Sequence, residues 1–386
     1  MSYIPRAAAE QIRKATHHFP AVLLTGPRQC GKTTLLRHVF PKANYILLED
    51  PDVIARVNSD PRGFLDDLKT PVILDEIQNT PALLGYIRTR IDSVPGRKGQ
   101  WLLTGSQEAP LMQGVSESMA GRVAVLQLYP LSILETEKVS VLRGGYPYIV
   151  KNPAVTDIWF RSYIQTYLER DVRAITAIKD LSTFRRFMAL LASRHGSILN
   201  KTDLAAPLGV SVPTISSWLN VLEMTGQIIV VPPFYENFGK RLIKSPRLYF
   251  TDSGLVCHLL GIDNVTSMRK SPFHGILFEG FVAGEIIKHQ ANTGKRKELY
   301  YFRDQQGLEV DFVIPQGAGV LLLVEAKATK TPKPSMAQPL GRLARAIDRY
   351  QTRSVLVHSG SSKTDAGSAI SPGASAVSLA SFLEEI

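Results

Sequence analysis

The sequence predicts an α/β protein in which two sheet-bearing blocks flank a helical middle, and three observations carry that reading. Across residues 1–150, five apolar runs alternate with helical patterns, as expected of a parallel sheet covered on both faces. Residues 151–255 turn to helical periodicity, ending in a helix-turn-helix pattern and two short strands. Residues 256–386 return to strands, packed around one apolar helix.

The strands expected in the first block cover residues 22–24, 45–48, 72–74, 101–103 and 123–128, and the block ends near Pro130. In the middle, residues 157–174 read as one long helix carrying Tyr163, Tyr167 and Leu168, and residues 181–194 as another. A turn at residues 203–209 precedes a helix over residues 212–224. Leu204, Leu208, Ile215, Leu219 and Leu222 are its expected core, and Trp218 is either core or partly exposed. Residues 228–232 and 247–250 read as two strands of a wing, with Lys240, Arg241, Lys244 and Arg247 in the basic stretch that follows the first. In the last block a helix at 276–289 precedes strands at 298–302, 308–314 and 320–326. A helix near 338–350 and a strand at 354–358 follow. Residues 359–374, rich in Gly and Ser, read as a loop, and a short helix closes the chain.

At 386 residues the chain is long enough for two or three domains of roughly 100–200 residues each. A hydrophobic content of 44% excludes wholesale disorder. The net charge of +11 favours acidic partners such as nucleic acid. Only two cysteines occur, Cys30 and Cys257, and no structural disulfide is expected between them. That fits a reducing, cytoplasmic setting. The first residues hold no apolar signal core, and no run of about 18 apolar residues predicts a membrane span.

Gly26-Pro27-Arg28-Gln29-Cys30-Gly31-Lys32-Thr33 fits the pattern G-x-x-x-x-G-K-[ST], between an apolar strand and a helix that continues from Thr34. Glycines let such a backbone curl until its N–H groups face phosphate oxygens. Lys32 neutralises β/γ-phosphate charge, the Thr33 hydroxyl ligates Mg²⁺, and the helix aims its positive end at the phosphates. The pattern therefore predicts ATP and Mg²⁺ as ligands. Val72-Ile73-Leu74-Asp75-Glu76 supplies the other half: Asp75 holds Mg²⁺ through water, and Glu76 polarises the attacking water. After the next strand comes Thr104-Gly105-Ser106, where Ser106, then Thr104, is the polar group expected near the γ-phosphate or that water; a plain polar turn competes with this reading.

The last block carries a second constellation. Asp311 lies in an apolar strand, where Val310, Phe312 and Ile314 are expected on one face and Asp311 and Val313 on the other. Glu325 and Lys327, two apart on the next strand, point to one face, and Glu279 on the preceding helix completes the set. Asp311, Glu325 and Glu279 are oxygen donors suited to a second Mg²⁺ or Mn²⁺, which would activate water against a phosphodiester, with Lys327 steadying charge. A structural ion pair is the competing reading, and Glu309 and Glu285 compete for the places of Asp311 and Glu279. In the helix-turn-helix, Ser211, Thr214, Ser216, Ser217 and Asn220 would face a DNA groove, and the basic wing would grip phosphates. Packing as an ATPase lid or subunit contact is the alternative.

On these residues the chain resembles a prokaryotic family of AAA-type ATPases with a C-terminal domain of unknown function similar to PD-(D/E)xK nucleases. The resemblance spans nearly the whole chain. It is carried by the phosphate loop, Leu74-Asp75-Glu76-Ile77-Gln78, Leu103-Thr104-Gly105-Ser106, Gly121-Arg122, and Leu128-Tyr129-Pro130-Leu131. Gly144-Gly145-Tyr146-Pro147, Tyr167-Leu168-Glu169-Arg170-Asp171, Leu248-Tyr249-Phe250-Thr251-Asp252-Ser253-Gly254-Leu255 and Phe278-Glu279 add to it. The resemblance implies a P-loop parallel-sheet ATPase domain, a winged-helix middle and a nuclease-like α/β end. It implies that Arg122 serves as an arginine finger to a neighbouring subunit of a homo-oligomer; an ordinary interface arginine is the alternative. Arg170 and Arg173 are weaker candidates. A nuclease fold also survives as a binding module without activity.

Three functions fit: an ATP-dependent nucleic-acid enzyme, an ATP-driven protein-interaction switch on an inactive nuclease-like scaffold, and a DNA-binding regulator that only senses nucleotide. Glu76 speaks against the third, because a sensor needs no water-activating acid.

Overall fold

The first block is built on a five-stranded sheet. The computed structural model describes residues 3–105, 115, 117–168, 181–234, 244–360 and 368–386. Strands β1 (Ala21–Thr25), β2 (Asn44–Leu47), β3 (Val72–Asp75), β4 (Trp101–Thr104) and β5 (Val123–Gln127) run parallel in the order β2-β3-β4-β1-β5. Alternation along the central strands feeds two cores. Leu23, Leu74 and Leu103 pack with Phe64 of α4 (Pro61–Asp66) and Leu84 and Ile87 of α5 (Leu83–Ser93), and α3 (Pro51–Ser59) adds Val57. Val22, Leu24, Ile73 and Leu102 pack with Ile12 of α1 (Ala8–His18) and Leu35 and Leu36 of α2 (Lys32–Val39). Both faces are covered, which is why β1, β3 and β4 are buried throughout and apolar up to their last residues, Thr25, Asp75 and Thr104.

The middle is helical: α6 (Pro147–Lys151), α7 (Thr156–Tyr163), α8 (Leu181–Ser193), α9 (Lys201–Ala205) and α10 (Val212–Met224), then the antiparallel pair β6 (Ile228–Val231) and β7 (Arg247–Phe250). Of the helix expected at 157–174, the described part is helical throughout: α7 ends at Tyr163 and passes directly into a π-helical turn over Ile164–Leu168, while residues 169–174 lie outside the described residues. The turn follows an aromatic cluster in which Trp159 stacks on Tyr163 at 4.9 Å and Tyr146 lies 5.1 Å from Tyr163. Leu204, Leu208, Ile215, Leu219 and Leu222 are all buried, and Trp218 joins them in the core.

The last block holds α11 (Ser253–Leu259), α12 (Val265–Lys270) and α13 (His274–Asn292), then β8 (Tyr300–Arg303), β9 (Glu309–Pro315) and β10 (Val320–Lys327). It continues with α14 (Gln338–Ala346), β11 (Gln351–His358), β12 (Ser368–Ser371), β13 (Ala374–Ser378) and α15 (Leu379–Glu385). The six strands form a mixed sheet in the order β12-β13-β11-β10-β9-β8, with β10, β11 and β13 parallel to their neighbours in that run. α13 and α15 cover one face and α14 the other. Residues 368–371 and Ala374, expected as loop, belong to strands, and β13 runs on to Ser378: Ala, Ser and Val there follow no strong pattern, and pairing with β11 supplies the order. The register of β9 against β8 shifts between Tyr300 and Phe302, and Val310 accordingly packs with Val313 on the α14 side while Phe312 and Ile314 face α13. Among the described residues no helix is long and apolar enough to cross a membrane.

Buried polar contacts join the blocks. On α13, Glu285 pairs with Lys288 at 2.8 Å and accepts the Ile133 N–H at 2.9 Å, while Lys288 donates to the Leu131 carbonyl at 3.1 Å. Asp252 accepts the Gly145 N–H at 2.7 Å, and a Cβ on Gly144 would lie 2.0 Å from the same carboxylate. The two glycine-rich and aspartate-bearing motifs, 107 residues apart, are thus one packing unit.

Candidate nucleotide site and a second carboxylate cluster

β1 ends in the loop at residues 26–33. Gly26 has φ 136°, and a Cβ there would lie 2.0 Å from the Leu128 carbonyl oxygen, so only glycine lets the loop leave the sheet. Gln29 and Gly31 also have positive φ, at 63° and 97°, which gives the loop its curl. Buried Arg6 braces it from outside, donating to the Cys30 carbonyl at 2.8 Å and the Tyr129 carbonyl at 2.7 Å while Glu135 holds its Nε at 2.9 Å. Lys32 is buried, and its Nζ donates to the Gly26 and Pro27 carbonyls at 3.0 Å each. No side chain caps the start of α2, so its first-turn N–H groups suit an anion.

Asp75, at the end of β3, is buried and would be costly there without partners. It has three. The Thr33 hydroxyl donates to it at 2.9 and 3.0 Å, the Tyr45 hydroxyl at 2.8 Å, and the Thr104 hydroxyl closes the set. β4 lies between β1 and β3 and so delivers Thr104 to this point. Burial, and then the hydrogen bond to Asp75, push the Tyr45 phenol well above its ordinary value, so it stays a donor. Glu76 adopts a left-handed φ of 62°, uncommon for a non-glycine residue and typical of functional corners. Its N–H donates to Thr104 Oγ1 at 3.2 Å, Gln78 donates to its carboxylate, and Arg28 Nη1 stands 3.9 Å away. Thr33 Oγ1 and the Asp75 oxygens are the hard donors that Mg²⁺ takes alongside phosphate and water, and the residues present fit that ion.

The expected residues thus converge: Gly26, Pro27, Arg28, Gln29, Cys30, Gly31, Lys32, Thr33 and Thr34 form the loop and first helical turn, with Asp75 and Glu76 beside them. Ser106, Arg170 and Arg173 lie outside the described residues, and Thr104 is the hydroxyl seen at the site. Arg122 is held within its own chain, gripping both carboxylate oxygens of Asp92 at 2.6 and 3.0 Å. Those hydrogen bonds hold the Asp92 carboxyl below its usual range. Arg6 and Tyr45 are not readable as site residues because each reaches the site through tertiary contact, whereas Gln78 is a local neighbour of Glu76, two residues on.

The second cluster also assembles. β9 and β10 are antiparallel with Phe312 opposite Val324, which sets Asp311 beside Glu325. Asp311 accepts the Ala326 N–H at 2.9 Å; Lys327 Nζ donates to Glu325 at 2.7 Å and lies 3.6 Å from Asp311. Glu279 reaches in from α13, where Tyr249 donates to it at 2.5 Å and Arg247 at 3.1 Å. Arg247 also donates to Glu309, lies 4.0 Å from Asp311, and stacks over the Tyr301 ring at 4.9 Å. Burial, reinforced by the charge of Asp311, pushes Glu279 and Glu325 each up to about 8, and burial raises Asp311 as well. Burial works against the Lys327 ammonium, but Asp311 and Glu325 outweigh it and raise its pKa. Two cations therefore occupy the carboxylates. Among the described residues no three His, Cys, Asp or Glu side chains are grouped as ligands for a metal ion, and this cluster as folded does not fit a second Mg²⁺ or Mn²⁺. Glu285 belongs to the Lys288 pair, and Glu309 sits at the rim with Arg247 and Arg303.

The wing reading is corrected at one position. Arg247 is buried against the carboxylates rather than displayed, because three acids of the last block draw it inward. Lys244 is exposed, and Lys240 and Arg241 lie outside the described residues. On α10, Ser211 caps the helix by accepting the Thr214 N–H at 3.2 Å; Asn220 is exposed, and Thr214, Ser216 and Ser217 are half-buried.

A family model described as "AAA domain" matches residues 18–137, the block that carries the loop, Asp75 and Glu76. Two mycobacterial proteins, "Uncharacterized protein Rv2008c" of Mycobacterium tuberculosis and "Uncharacterized protein Mb2031c" of Mycobacterium bovis, are each 34% identical over 335 residues. Each alignment covers 85% of this chain and 74% of the relative. The chain belongs to their family, one of AAA-type ATPases. Two further models described as domains of unknown function, DUF8612 and DUF4143, match residues 136–266 and 274–379 of this AAA-type protein. Among solved structures, the Walker-type ATPase PABY2304 of Pyrococcus abyssi is similar at 16% identity and TM-score 0.44, over 65% of this chain and 94% of that one. A Thermotoga maritima RuvB is similar at 18% identity and TM-score 0.29, over 58% and 86%.

Proposed function

We propose that this chain is a Mg²⁺-dependent ATPase whose turnover at the loop of residues 26–33 drives work on nucleic acid through the middle and last blocks. The Thr33–Asp75 contact carries the reading. It joins the helix that follows the loop to the acidic strand, with Lys32 and Glu76 on either side, and a chance loop match would not assemble that set. On ATP binding, Lys32 leaves the Gly26 and Pro27 carbonyls for the β/γ-phosphate oxygens, and the N–H groups of the loop and Thr34 surround the phosphates. Mg²⁺, when bound, neutralises charge on those oxygens. Glu76 orients the attacking water, and Thr104, whose hydroxyl accepts the Glu76 N–H, touches the same region; Ser106 is proposed for the same role from its sequence position alone.

Arg122 is proposed as a finger to a neighbouring copy in a homo-oligomer, for which it exchanges Asp92 for phosphate. Glu279, Asp311, Glu325 and Lys327 are proposed as the effector end. Their clustering supports a nucleic-acid role, with no metal-dependent step assigned to carboxylates that Arg247 and Lys327 already hold. The ion pairs of Arg247 and Lys327 with the cluster's carboxylates favour a second reading, an ATP-driven protein-interaction switch on an inactive scaffold. Purified protein with Mg²⁺ or Mn²⁺, with and without ATP and plasmid, separates them. The first reading expects DNA-stimulated hydrolysis that Lys32→Ala abolishes, and any nicking to be lost in Asp311→Ala and Lys327→Ala with ATPase activity retained. DNA that neither binds at low salt nor changes the ATPase rate leaves the switch.

A further inference from the structure

We infer that the β6–β7 pair is a lever that transmits nucleotide occupancy at residues 26–33 to the carboxylate cluster, with Arg247 as its latch. The inference rests on the loop being an ATP site. One end of the pair sits on the loop. The turn at Gly226 lies against Pro27, where a Cβ on Gly226 would come within 3.1 Å of Pro27 Cδ and Cγ. The next residue, Gln227, is buried and donates to the Tyr163 hydroxyl at 2.9 Å, which in turn donates to the Arg28 carbonyl at 3.4 Å. The segment that opens β6 therefore meets Pro27 directly and the next loop residue, Arg28, through Tyr163.

The other end sits in the cluster. β6 and β7 pair over four residues, from Ile228 opposite Phe250 to Val231 opposite Arg247, a length of about 10 Å. Arg247 belongs to the middle block, yet its carboxylate partners Glu279, Glu309 and Asp311 all belong to the last. Tyr249, two residues along the same strand, adds a second donor to Glu279. A shift of this short pair thus changes two contacts to one buried acid.

Nucleotide has a reason to move it. Lys32 Nζ holds the Gly26 and Pro27 carbonyls and must release both to reach phosphate, so the residue under Gly226 loses a bond when ATP binds. A ligand shifts an equilibrium only through such a differential contact. Reciprocity follows: if nucleotide loosens the latch, loosening the latch changes nucleotide affinity by the same factor, although Arg247 has no contact with the loop among those described.

The test measures dissociation constants for a fluorescent ATP analogue with Mg²⁺ on the full chain. Arg247→Lys and Glu279→Gln should each shift affinity at least threefold in the same direction. Arg303→Ala, which removes only the outer cation on Glu309, should stay within twofold of wild type. Amide exchange on wild type with ADP supplies a readout independent of any variant's folding: protection over residues 228–231 and 247–250 should change on binding. Binding with unaltered exchange in both strands, or folded variants with unaltered affinity, overturns the lever and leaves the nucleotide site standing. Failure of wild type to bind the analogue overturns the site, and the lever with it.

Discussion

The Thr33 hydroxyl lies 2.9 Å from one oxygen of Asp75 and 3.0 Å from the other, so the start of α2 and the end of β3 are joined by a single side chain. That oxygen set is where Mg²⁺ is expected alongside bound phosphate. Thr33→Ala should weaken nucleotide binding in Mg²⁺ by about tenfold, or about 1.4 kcal/mol, while binding in excess chelator stays within about threefold. Titration of a fluorescent nucleotide with and without Mg²⁺ reads both values; equal losses in the two conditions would remove Thr33 from metal binding.

Gly26 is constrained twice, by its φ of 136° and by the Leu128 carbonyl 2.0 Å from a built Cβ. Gly26→Ala should abolish nucleotide binding and lower the melting temperature. Gly121→Ala is the control: it has φ 74° but open space around a Cβ, so only the left-handed strain of about 1–2 kcal/mol applies. Equal destabilisation by the two substitutions would show that the close approach to Leu128 contributes nothing.

Burial holds His195 down at about 3, against an ordinary 6.5, with its Nδ1 accepting the Phe250 N–H at 3.1 Å. The folded chain keeps this ring neutral where the unfolded chain takes up a proton. Its contribution to stability is therefore complete above pH 6.5 and is lost as pH falls toward 3, at about 1.4 kcal/mol per pH unit. Denaturant titrations across that window should show a steeper acid loss in wild type than in His195→Gln. Parallel profiles would place the acid sensitivity elsewhere.

The parts of the molecule that were legible are those where local sequence decides geometry. The phosphate loop needs particular residues at fixed spacing, and the neighbouring strands β9 and β10 bring Asp311 to Glu325 and Lys327 by simple pairing. In the sequence Arg247 belongs to a basic wing, because its partners are remote: Glu279 is 32 residues away and Glu309 62. Tyr45 was hidden for the same reason, lying on edge strand β2 and meeting Asp75 30 residues later. β13 was missed because Ala374-Ser375-Ala376-Val377-Ser378 has little strand propensity of its own and is ordered by β11. Within the helix expected at 157–174, the change from α to π hydrogen bonding at Ile164 is not legible, because no proline or glycine announces it.

The central claim is hydrolysis of ATP by Glu76 in a site built on Lys32, Thr33 and Asp75, and steady-state ATPase measurement on Glu76→Gln tests it most directly. Gln keeps the size of the side chain but cannot act as a base. The account predicts that Glu76→Gln binds ATP and Mg²⁺ within a few-fold of wild type and turns over about 10²–10⁴-fold more slowly, whereas Lys32→Ala loses binding itself. Wild-type turnover in Glu76→Gln, at unchanged nucleotide affinity, would contradict it.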